Sequence, residues 1–182
     1  DITDEHKIWM STGYRMLASS ILSSDIASSD VFFAYRGYRM NYYAVTAMLA
    51  RVYCWAGEYG NAYKEAKEVV DATYSTGSTS TASCFNFSNS LTTNRKDYNS
   101  IIMTFFKSTC YEDYLPYMTK GNDVVLVVNT TNLFGDEAGA DDRNLDLFGD
   151  WDGGDIKYSF KYDIKEGTSG TDMIPAIRLS EM

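Results

Sequence analysis

The chain has 182 residues, 45% of them hydrophobic and 23% charged, a balance that fits a folded globular protein with its own core rather than a disordered one. Its formal net charge of −9 would repel a phosphate backbone, which excludes nucleic acid as a partner. No apolar run approaches the ~20 residues a spanning helix needs, and DITDEHKIW has neither the basic nor the apolar region of a secretion signal, so the sequence as written reads as soluble.

In chain order, Thr3 to Leu22 is predicted as a helix. Thr3 can cap it, Asp4 and Glu5 suit the positive end of the dipole, and Met10, Tyr14, Leu17 and Ile21 share one face. His6, the single histidine, falls in its exposed first turn. Ser23 to Tyr38 reads as a loop anchored by Val31, Phe32 and Phe33.

Asn41 to Thr73 carries the clearest periodicity. Val45, Met48, Leu49, Val52 and Ala56 recur at helical spacing, and Tyr59, Ala62, Tyr63, Ala66, Val69 and Val70 do so again. Gly57 between them is placed to end the first helix in a left-handed cap. The expectation is a helical hairpin that buries Val45, Leu49, Val52, Ala62, Ala66 and Val69. Leu49, Ala50, Tyr53, Gly57, Tyr59 and Ala62 follow the large-small-aromatic-Gly-aromatic-small pattern of a tetratricopeptide repeat, although Thr46 and Tyr74 stand where that pattern favours Trp and Pro.

Ser75 to Asp97 is dominated by Ser, Thr and Asn and reads as a surface excursion. Ile101 to Phe106 is a short apolar run that fits a buried strand or a helical turn equally well. Val124 to Val128 is β-branched and is predicted as a strand. Ile156 to Ile164 alternates Tyr158, Phe160 and Tyr162 with polar residues, the period of a half-buried strand.

Gly149-Asp150-Trp151-Asp152-Gly153-Gly154-Asp155 is the most suggestive stretch for chemistry. Trp151 offers a stacking face, and Asp150, Asp152 and Asp155 can accept hydrogen bonds from vicinal hydroxyls, so these four residues form a candidate glycan site. The competing readings are a solvated turn and an irregular calcium loop. The calcium template fails at Gly154 and Asp155, which stand where a ligand and a glycine are required. Paired carboxylates also serve glycoside hydrolysis, but no flanking motif accompanies them, and no G-x-S-x-G, HExxH or P-loop occurs, so no catalytic residue is assigned. One His and three Cys without CxxC spacing predict neither a metal site nor a cofactor; a Cys84–Cys110 bridge is left open.

Taken together, RMNYYAVTAMLARVYCWAGEYGNAYKEAKEVVDA (Arg39 to Ala72), GNDVVLVVN (Gly121 to Asn129), DDRNLDLF (Asp141 to Phe148) and IPAIRLSEM (Ile174 to Met182) resemble, in this order, segments of the SusD/RagB family of nutrient-binding outer-membrane lipoproteins of gut Bacteroidetes. The resemblance implies a mainly α fold of tetratricopeptide-like helical hairpins with long loops and a few short strands. It further implies that residues 1–182 are a single partial domain of a larger protein, helical over 1–76 and loop-rich over 77–182, with IPAIRLSEM opening a helix that continues. The function implied is non-enzymatic capture of oligosaccharide at the cell surface for a TonB-dependent SusC-like transporter, with membrane attachment through an N-terminal lipid anchor. The alternative is a protein-interaction scaffold without a small ligand, which fits the hairpin but leaves the aromatic loops unexplained.

Overall fold

The computed structural model describes residues 7–16, 34–76, 79–89, 91–92, 95–107, 109–119, 122, 125–151, 153, 156–159, 161 and 173–182. Among them are six α-helices and seven strands, the strands arranged in three small sheets. The expected mainly α, tetratricopeptide-like architecture is therefore corrected to a mixed α and β one. A single helical hairpin is present among the described residues, and short strands occupy much of the rest. By its internal contacts the chain divides into two compact units, Asp1–Ser88 with Tyr98–Phe106 and Ile174–Met182, and Asn89–Asp97 with Lys107–Met173.

The first unit is built on the hairpin. Helix α1 (Thr12–Met16) is short; α2 (Tyr42–Trp55) and α3 (Tyr59–Val70) form the hairpin, and Gly57 between them has φ +79°, as its capping position predicts. Strands β1 (Thr73–Ser75) and β2 (Thr81–Ser83) pair antiparallel, Tyr74 opposite Ala82. Strand β3 (Ile101–Phe106) pairs with β7 (Met173–Arg178), whose residues from Ile174 onward belong to this unit.

The predicted helix from Thr3 to Leu22 is not continuous. A 3-10 turn at Ile8–Met10 ends at Ser11, whose ψ of 149° is extended, and α1 starts afresh at Thr12. Ser, Thr and Gly in succession at 11–13 favour such a break, since hydroxyls compete for backbone partners and glycine is a weak helix former. Thr3, His6, Leu17, Ile21, Val31, Phe32 and Phe33 lie outside the described residues.

The buried face of α2 is also different from the predicted one. Tyr43, Ala44, Thr46, Ala47 and Ala50 are inside, while Val45, Met48, Leu49 and Val52 are each more than a third exposed; on α3, Val69 is buried and Ala62 and Ala66 are half-buried. Arg51 is the one charged residue in α2, so the helix is apolar nearly all round and periodicity alone cannot choose a face. The small alanines admit close neighbours. Tyr43, Ala44 and Ala47 pack with Met10, Val69, Ala72, Cys84, Phe85, Ile102 and Ile177 in one cluster. Cys84 and Phe85 thus correct the reading of Ser75–Asp97 as wholly superficial.

Two polar residues bind this core together. Arg15 is fully buried. It donates to the carbonyls of Met10, of Cys84 at 2.7 Å, of Tyr98 at 3.1 Å and of Asn99 at 3.2 Å, and its guanidinium lies 4.6 Å from the Phe85 ring centre. Burial lowers its pKa from 12.5 to about 10. Asn41 caps α2 by accepting from Ala44 N–H at 3.0 Å, and its Nδ2 donates to Arg36 O at 3.0 Å and Ile102 O at 3.1 Å. Gly37 is required by close approach, because a Cβ there would stand 2.4 Å from Met16 Sδ.

The second unit contains α4 (Cys110–Met118), α5 (Thr130–Phe134) and α6 (Asp142–Leu147). Its three-stranded antiparallel sheet has the order β4-β6-β5, with β4 Val127–Asn129, β5 Phe148–Asp150 and β6 Ile156–Ser159. The predicted strand at Val124–Val128 is thus shifted towards Asn129. Residues 174–178, expected to open a helix, are strand, and the chain turns into a 3-10 segment only at Leu179–Glu181.

Candidate functional site

The acidic tryptophan loop sits at the tip of the β5–β6 hairpin. Phe148 stands opposite Ser159, Gly149 opposite Tyr158 and Asp150 opposite Lys157. The pairing is extended by Trp151 N–H donating to Ile156 O at 3.1 Å. Gly153 has φ +84°, a conformation glycine adopts at no steric cost.

Side chains alternate across a strand, so Trp151 emerges on the same face as Gly149. Having no side chain, Gly149 leaves space over Tyr158, and the Trp151 and Tyr158 rings meet edge to face, their centres 6.2 Å apart at 74°. Trp151 is half-buried and Asp150 exposed. The loop therefore gives Trp151 a packing partner, which the glycine-rich sequence around it does not suggest. Asp152 and Asp155 lie outside the described residues. Trp151 and Tyr158 are brought together on one face at the hairpin end, whereas Asp150, one position earlier, falls on the opposite face.

The approach to this hairpin is held by an ion pair and two rings. Asp141 caps α6, accepting Arg143 N–H at 2.8 Å, and its carboxylate receives the Arg143 Nε at 2.9 Å and Nη2 at 2.5 Å. That bidentate bond drops the Asp141 pKa from 3.8 to about 2. The Arg143 guanidinium lies 5.4 Å from the Phe134 ring centre, and Phe134 meets Phe148 edge to face at 6.0 Å. Phe148 opens β5, so this chain of contacts fixes the strand that carries Asp150 and Trp151.

Among the described residues no three His, Cys, Asp or Glu side chains are placed to hold a metal ion, and no helix is long and apolar enough to cross a membrane. Cys84 and Cys110 are both buried thiols, and the bridge left open by the sequence is not formed. Burial raises the Cys84 thiol to about 11. The sequence pattern missed Tyr158 as the partner of Trp151; the signal was the glycine set opposite it in a strand of period two. No known protein family, curated protein or solved structure matches the chain.

Proposed function

We propose that this chain is part of a SusD/RagB-type glycan-capture protein, binding oligosaccharide without cleaving it. The observation that carries the reading is the hairpin tip, where a half-buried Trp151 is steadied by Tyr158. A ring held in one orientation loses little freedom when a sugar stacks on it. The four segments from Arg39 to Met182 that resemble the family support the same reading. With it come a surface position on the outer membrane, a lipid anchor and delivery to a TonB-dependent SusC-like transporter. The test is a glycan array probed with the wild-type chain and with Trp151→Ala. Loss of a wild-type signal in a variant of unchanged melting temperature supports the reading, and absence of any wild-type signal overturns it.

One observation favours the second reading, a protein-interaction scaffold. Val45, Met48, Leu49 and Val52 form an exposed apolar stripe at the i, i+3, i+4, i+7 spacing by which helices engage partners. The same stripe supports the proposal that the chain belongs to a larger protein. A scaffold would lose its partner on Leu49→Asp and show no glycan signal at all.

A further inference from the structure

A groove of about 210 Å³ runs along the hairpin in the first unit, beside the turn at Leu179–Glu181. Ala50, Ala62 and Ala66 are the small residues that open it, and Trp55 and Tyr63 also line it, 80% and 69% exposed. Two aromatic rings this open on a folded helical hairpin contribute little to the core beneath them.

The rim is polar and already ordered. Arg51 Nη1 lies 3.1 Å from Glu181 Oε2, and the other oxygen of Glu181 accepts the Arg178 backbone N–H at 3.3 Å. The Arg51 guanidinium also lies 5.8 Å from the Trp55 ring centre. Each of these contacts narrows the choice of ligand. A cation, the usual guest of an aromatic cluster, would meet the guanidinium already beside Trp55. An anion would meet Glu181. A wholly apolar side chain would strip water from the ion pair and offer nothing in return. What remains is a neutral, ring-sized molecule with one apolar face and hydroxyls at its edge. A guanidinium with five donors and a carboxylate with two acceptor oxygens match such an edge from both sides.

We infer that this groove binds a pyranose ring of a neutral oligosaccharide, stacked on Trp55 or Tyr63 and hydrogen-bonded by Arg51 and Glu181. The inference deepens the glycan-capture reading and rests on it. It places a sugar subsite on the helical hairpin, separate in sequence from the Trp151 loop.

The test is a nitrogen-15 NMR titration of the chain with maltohexaose, cellohexaose, mannohexaose and xylohexaose, following the indole N–H signals of Trp9, Trp55 and Trp151, each assigned by a Trp→Phe variant. At least one hexaose should shift the Trp55 signal saturably and slow alkylation of Cys54, the exposed thiol lining the groove. Trp55→Ala should weaken that binding about tenfold, equivalent to ~1.4 kcal/mol of stacking, with an unchanged melting temperature. Arg51→Ala should weaken it as well. If a hexaose moves the Trp151 signal and leaves Trp55 still, the groove assignment is wrong and glycan capture stands. If no hexaose moves either signal, both fail.

Discussion

Asn41 performs two tasks with one side chain, and substitutions can separate them. Its Oδ1 caps α2, while its Nδ2 satisfies the carbonyls of Arg36 and of Ile102 in β3, at a residue only 8% exposed. Loss of an N-cap costs ~1 kcal/mol, and a buried carbonyl left without a donor costs roughly 1–3 kcal/mol. Asn41→Ala should therefore destabilise the protein by about 2–4 kcal/mol. Asn41→Ser keeps a capping oxygen and should recover about 1 kcal/mol of that. Asn41→Asp also keeps the cap, but it replaces the donor by an oxygen facing two carbonyl oxygens, so it should be at least as damaging as alanine. Urea unfolding at constant slope reads these differences directly as shifts in midpoint. An alanine variant within about 0.5 kcal/mol of wild type, or an aspartate variant as stable as wild type, would refute the claim that this side chain joins the hairpin to β3.

Three further outcomes follow from burial, close packing and charge. Ala47→Asp should unfold the first unit, because Ala47 is 0% exposed, whereas Leu49→Asp at 37% exposure should leave the melting temperature nearly unchanged; equal effects would show that the buried face of α2 is misassigned. Gly37→Ala should lower the melting temperature, since the added methyl would meet Met16 Sδ and stand 3.1 Å from the Arg15 carbonyl oxygen; a rise, the usual result where alanine fits, would contradict that packing. Asp141 has a folded pKa of about 2 against an ordinary 3.8, so its bond to Arg143 contributes stability above about pH 4 that is lost as the pH falls towards 2. Melting curves of wild type and Asp141→Asn across that window should converge at the acid end, and parallel curves would show that the pair contributes nothing.

What the sequence revealed depended on how local the signal was. Gly57 marks a turn whose geometry only glycine adopts easily, so the hairpin and its break were readable from residues close together in the chain. The buried face of α2 was not readable. With Arg51 its single charged residue, the larger side chains drew the prediction to one stripe, whereas tertiary packing selected the alanines that let strand and loop come close. The expectation of a mainly α fold rests on the family resemblance and on one repeat-like hairpin, and three small sheets overturn it. The sheets arise from strands of three to six residues, too short for a period to announce itself. At the candidate site, Trp151 and Asp150 were legible as residue types in a glycine-rich loop. The Trp151–Tyr158 contact depends on strand register, which residue types alone do not encode.

The central claim is capture of an intact oligosaccharide, and equilibrium dialysis against the same four hexaoses, with the sugar recovered afterwards and sized, tests it most directly. Saturable retention of at least one hexaose is expected, with the sugar recovered at full length after prolonged incubation. No retention of any of them, or recovery of shortened products, would contradict it.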